Sequence, residues 1–99
     1  DFAKVFALCA DVGVPYRAAC YQSLGRDAAT ISLNQVPGTV ARCALGTDRE
    51  QQANCVVGAV LDFVYYYHSD GQANQLCAAV DAALQDVCRS TTAKVVGLF

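Results

Sequence analysis

The sequence predicts an all-α protein: three antiparallel helical hairpins, about six helices, stacked as a short α-solenoid or a compact bundle with one disulfide per hairpin. Three observations predict it. Six cysteines fall into three evenly spaced pairs, similar residues recur with a period in the thirties, and apolar positions between the breaks keep helical spacing. At 99 residues the chain makes one domain, 1–99, with units of about 1–34, 35–70 and 71–99. Apolar residues are 55% and charged residues 16% of the chain, against typical values of about 45–50% and 25%. That balance excludes disorder, because disordered chains are apolar-poor and charge-rich.

The cysteines are Cys9, Cys20, Cys43, Cys55, Cys77 and Cys88. An even number in so short a chain reads as a disulfide framework, paired 9–20, 43–55 and 77–88 within the units. Zinc and buried free thiols are the alternatives. Structural zinc favours close pairs such as C-x2-C, whereas here the nearest cysteines are separated by ten residues. Disulfides imply an oxidising, extracytoplasmic location, periplasmic or secreted.

First members of the pairs recur every 34 residues, and second members at 35 and 33. Ala10, Ala44 and Ala78 each follow a first cysteine. Ser23, Gly58 and Thr91 sit three residues after a second one, and Asp27 and Asp62 seven after it. A period of this length is what a helix-turn-helix unit produces.

In the first unit, Phe2, Val5, Phe6 and Cys9 form a helical stripe over 1–11. Gly13 breaks it, and Pro15 suits the first turn of a second helix running to about Ile31. Asn34-Gln35-Val36-Pro37-Gly38 reads as a connector. A short helix is expected from about Thr39 to Leu45, ending at Gly46. Thr47-Asp48-Arg49-Glu50 matches a capping box, with Thr47 capping and Glu50 reaching back. The helix it opens runs to about Tyr67 and stops at Ser69-Asp70-Gly71. It is apolar nearly all round from Cys55 onward, which calls for neighbours on several sides and a central position. Gly58 in its interior implies close approach of an adjoining helix.

The third unit begins near Gln72 and has no Gly or Pro between Cys77 and Cys88. A continuous helix would set those cysteines about 16 Å apart, whereas a disulfide needs Cα atoms within about 7 Å. Pairing them requires a turn near Val80-Asp81, with Asp81 capping the next helix.

The 34-residue period, the Cys-Ala pairs and Cys20-Tyr21-Gln22-Ser23-Leu24-Gly25 resemble the tetratricopeptide and Sel1-like superfamily of helical-hairpin repeats. The likeness is closest in style to cysteine-rich secreted Sel1-like proteins, in which a disulfide joins the two helices of each repeat. The gap between paired cysteines is longer here, and the tetratricopeptide Trp-x2-Leu-Gly signature is absent. The resemblance implies protein or peptide binding without enzymatic activity.

Nothing in the chain assembles a catalytic, cofactor or metal motif, and none is expected. His68 is the lone histidine and follows three tyrosines at a helix end, where a cation suits the helix C-terminus. Cys–His chemistry would need a free thiol, and the carboxylates are scattered. Net charge is −2 with no basic cluster, which disfavours nucleic acid. The apolar run Cys55–Tyr67 is interrupted by Asp62 and too short to span a bilayer. The absence of both an initiator Met and a leader implies a processed product or an excerpt of a longer protein. Tyr65, Tyr66 and Tyr67 point about 100° apart on a helix, so at least one ring faces outward. Two rings packed inward with their hydroxyls in water is the structural alternative, and a partner-binding edge flanked by Arg17 and Arg26 the functional one. The expectation is a non-catalytic protein–protein interaction or scaffold module, such as an extrinsic accessory subunit of a periplasmic or membrane-attached complex. A carrier of lipid or another apolar ligand in a bundle cavity is the alternative.

Overall fold

A computed structural model of the protein describes residues 2–98. The breaks anticipated from Gly, Pro and Asp divide it into six helices: α1 Phe2–Ala10, α2 Val14–Ile31, α3 Val36–Cys43, α4 Arg49–Tyr67, α5 Gly71–Ala79 and α6 Ala82–Val96. Asp1, expected to begin the first helix, and Phe99 lie outside the described residues. Each disulfide joins the two helices of one hairpin, Cys9–Cys20, Cys43–Cys55 and Cys77–Cys88, with Cα separations of 5.6, 5.4 and 5.4 Å. The third hairpin turns where the pairing requires. Val80 is extended, and the Asp81 carboxylate accepts the Ala82 N–H at 3.1 Å to open α6.

Two local expectations are corrected. α3 begins at Val36 rather than Thr39, because Pro37 occupies its first turn, where a missing N–H costs nothing and the ring fixes a helical φ. The residue capping α4 is Asp48, not Thr47. Its Oδ1 accepts the Gln51 N–H at 2.9 Å, and Gln51, not Glu50, reaches back to accept the Thr47 N–H at 2.8 Å. The capped donor moves from the Glu50 to the Gln51 N–H, while the Thr47 N–H is still satisfied from the first turn, by Gln51 in place of Glu50.

The longest helices, α2 and α4, run parallel. Gln22 meets Asn54, Thr30 meets Asp62, and Tyr67 meets Asn34, so positions advance together along both. Their backbones nearly touch. A Cβ on Gly25 would fall onto the Cys55 carbonyl, and one on Gly58 onto the Gln22 carbonyl. The expected close approach at Gly58 is therefore made, to the Gln22 backbone, and Gly25 makes the matching approach from α2 to the Cys55 backbone. Ser23, the first-unit counterpart of Gly58, is exposed, while Thr91 is half-buried with its hydroxyl donating to the Val87 carbonyl at 2.7 Å. Small residues at those two positions do not share the role of Gly58.

α4 occupies the centre, against α2 on one side and α6 on the other, and also packs on α3 and α5. It buries Cys55, Val56, Gly58, Ala59, Val60, Phe63 and Val64 along with Gln51, as its all-round apolar sequence demands. α1 packs chiefly on α2, through Phe6 and Cys9. Of the two stacking forms expected, the compact one holds. The radius of gyration is 12.2 Å, against about 13 Å for a compact domain of 100 residues.

Candidate functional site

The tyrosine-bearing end of the α2–α4 pair is built from the way α2 stops. After Ile31 the Ser32 N–H bonds the Ala28 carbonyl, the Leu33 N–H the Thr30 carbonyl, and the Asn34 N–H the Ala29 carbonyl at 2.8 Å. This is the paired ending that normally places Gly in the left-handed region. Here Leu33 and Asn34 adopt φ of 56° and 54° instead. An L-residue other than Gly stands there at a cost of about 1–2 kcal/mol.

Side chains from α4 hold that turn. Asp62 Oδ2 accepts from Asn34 Nδ2 at 2.8 Å and from Thr30 Oγ1 at 3.3 Å, and the Tyr67 hydroxyl donates to the Asn34 carbonyl at 2.8 Å. Asn34 is buried among these partners, so its polar groups are satisfied where water does not reach. Asp62 thus has a definite task, whereas Asp27, its counterpart by position, lies exposed on α2.

Tyr67 is half-buried, its ring edge-on to Phe63 at 6.1 Å and to Tyr66 at 4.9 Å. α4 then ends at His68, whose backbone is left-handed and whose N–H closes on the Val64 carbonyl at 2.8 Å. Tyr65 and Tyr66 remain 52% and 63% exposed. One ring packs inward, then, rather than two. Because α2 and α4 are parallel, Ile31 and Leu33 stand at the same end, 56% and 77% exposed. Four large apolar or aromatic side chains thus face solvent around a turn pinned from below.

Arg17 belongs to the opposite end. It lies half-buried in the first turn of α2, about 21 Å along the helix from Ile31 at 1.5 Å per residue. It acts there on Tyr21, together with Glu50 and Asp48 at the start of α4. Burial, reinforced by those two carboxylates, pushes the Tyr21 phenol above its ordinary value, and the Arg17 charge and a Gln51 hydrogen bond oppose the shift. Arg26 is exposed, five residues before the end of α2. The expected joint surface of the tyrosines with Arg17 is not assembled.

Ile31 and Leu33 escaped the sequence reading. The apolar pair brackets Ser32 just before a connector, and only the parallel pairing of the second helices of adjacent units shows that they join the tyrosines. Exposed apolar residues also occur near the first hairpin turn, at Leu8, Val14 and Tyr16, but no backbone strain or buried polar network organises them. Among the described residues there is no free cysteine, and no group of His, Cys, Asp or Glu that could hold a metal ion. No helix among them is long and apolar enough to cross a membrane. Comparison with models of protein families, with curated proteins and with solved structures found no match.

Proposed function

We propose that the chain is a non-catalytic module that binds a protein or peptide through Tyr65, Tyr66, Ile31 and Leu33, in an oxidising extracytoplasmic compartment. The observation that carries this reading is Leu33. An exposed leucine is held in a backbone conformation suited to glycine, and partly buried hydrogen bonds from Asp62 and Tyr67 to the next residue, Asn34, keep the turn there. Strain kept in place by its surroundings is a feature of ligand clamps and switch regions. Tyrosine also contributes large contact area at little entropic cost, which is why interfaces are rich in it. The three disulfides support the compartment, and an extrinsic subunit of a periplasmic or membrane-attached assembly fits this chemistry. The parallel placement of α2 and α4, with a disulfide in every hairpin, supports a repeat of tetratricopeptide or Sel1-like style. A carrier of apolar ligands would need a lined cavity, and no observation among the described residues favours it.

The test compares the immobilised protein with two variants, Tyr65→Ala/Tyr66→Ala and Leu33→Gly, against an extracytoplasmic extract of the source cells. The expected result is a protein species retained by the wild type and lost from both variants, with Leu33→Gly melting at or above the wild-type temperature and the tyrosine variant losing only the few degrees its Tyr66–Tyr67 contact accounts for. Equal retention by all three would overturn the reading.

A further inference from the structure

Cys20 is the exception among the six cysteines. Cys9, Cys43, Cys55, Cys77 and Cys88 are each at most 3% exposed, and Cys20 alone is not buried. Its bond also closes the hairpin with the least other support. α1 contributes two buried residues, Phe6 and Cys9, with Phe2 and Val5 partly covered. Its main anchor besides sulfur is the Phe6 ring, stacked on Tyr21 at 6.2 Å. By contrast α3 touches α2, α4 and α5, and α5 touches α3, α4 and α6, so neither depends on its own staple for neighbours. The third bond is further enclosed, with the Thr92 hydroxyl 3.6 Å from Cys77 Sγ.

We propose that Cys9–Cys20 is a redox latch: a small dithiol opens it ahead of the other two bonds and releases α1 from its seat on Tyr21, leaving the α2–α6 body folded. Exchange requires a thiolate to reach a disulfide sulfur, so access sets the order of opening. One thiolate of the reagent attacks Cys20 Sγ, on the side of the bond nearer solvent. The S–S pair leaves with Cys9 Sγ, which takes a proton from water. The second thiol of the reagent then displaces Cys20 from the mixed disulfide. The protein gains two thiols, and the reagent becomes a cyclic disulfide. Once the bond is open, the nine residues of α1 are held mainly by one aromatic contact and two half-covered side chains. Isolated helices of that length are marginal in water.

The experiment treats the intact protein with a graded series of dithiothreitol, blocks free thiols with iodoacetamide, and maps the tryptic peptides. The first doubly labelled species is expected to carry its labels on Val5–Arg17 and Ala18–Arg26, with Cys43–Cys55 and Cys77–Cys88 still bonded. Labelling that begins on another pair, or on all three together, overturns the latch. A second measurement follows limited trypsin cleavage of that species. Cleavage after Lys4 in α1 is expected to accelerate at least tenfold over the oxidised protein, while cleavage after Arg17, Arg42 and Arg89 in the folded body is unchanged. A uniform acceleration at all four sites would mean that the body opens with α1, and would overturn the release of α1 alone. A Cys9→Ser/Cys20→Ser variant is expected to show the same selective cleavage without reductant, and protection of Lys4 in it would equally sink the idea.

Discussion

Leu33 joins two properties that are seldom found together, a left-handed backbone and a large apolar side chain in water. Leu33→Gly relieves the first and removes the second. Removing the Cβ penalty of about 1–2 kcal/mol and adding about 0.5–1 kcal/mol of unfolded-chain entropy leaves a net gain near 0.5–1 kcal/mol. Urea unfolding is expected to show that gain, and binding through the tyrosine end is expected to fall in the same variant. Tyr21 supplies a second residue-scale outcome. Its folded phenol binds its proton more tightly than the unfolded one, whose ordinary value is 10. The stabilisation is complete below pH 10 and is lost as pH rises through the folded value. Stability measured by urea at a series of pH values is therefore expected to fall above about pH 10, and Tyr21→Phe is expected to flatten that fall. Some of this detail was legible in the sequence and some was not. Asp81 and Pro15 announced themselves because few residue types serve at a cap or a first turn. Leu33 gave no signal, since leucine is among the residues least expected in a left-handed turn. Thr47 and Asp48 both fit a cap with a Glu or Gln three residues on, and only the geometry of the Gln51 side chain decides between the overlapping pairs.

For the helices, the decisive contacts are two glycine approaches, Gly25 to the Cys55 backbone and Gly58 to the Gln22 backbone. Each accepts the backbone of the other helix where a methyl group would overlap a carbonyl. Gly25→Ala or Gly58→Ala must push α2 and α4 apart and disturb the most buried layer of the molecule. Either is expected to destabilise by about 3 kcal/mol despite the better helix propensity of Ala. Gly71→Ala is the control, because its Cβ would meet nothing closer than Ser69 Oγ at 3.9 Å. A gain of about 0.5 kcal/mol is expected there. Chemical denaturation of the three variants distinguishes these outcomes. Gly58 was readable as a close-approach site because a glycine inside an apolar helix needs a reason. Gly25 was read only as part of a Leu-Gly pair, since the offset between parallel helices is a property of the fold. α3 was read short for a related reason. Pro37-Gly38 looks like a turn when met as a dipeptide, yet Pro is equally at home in the opening turn of a helix.

Across the whole molecule, the cysteine spacing carried the architecture. Three pairs with matched gaps fix three hairpins, and an apolar fourth helix needs the central place it occupies. Which surface the helices leave exposed was not legible, because it depends on which ends come together rather than on any one segment. Tryptic mapping without reduction is expected to join Val5–Arg17 to Ala18–Arg26 and Cys43–Arg49 to Glu50–Arg89, the latter also holding Cys77–Cys88. Each bond closes a loop of about a dozen residues, worth on the order of 3 kcal/mol. Replacing Cys43 and Cys55 together by Ala is expected to lower stability by at least that amount in thermal unfolding, since both cysteines are buried in the centre.

The bonded cysteines are 11, 12 and 11 residues apart in sequence, and no bond crosses from one hairpin to another. Six thiols admit fifteen pairings, but short loops close fastest and at the least entropic cost. The native set is thus the one that encounter rates favour before any tertiary structure guides it. Each bond can also form as soon as its own stretch of chain has been made, without waiting for the residues that follow. Oxidation in vitro from the fully reduced chain is expected to populate native one- and two-bond species early, with little reshuffling. The chain is laid out so that it can be cross-linked in the order in which it is synthesised.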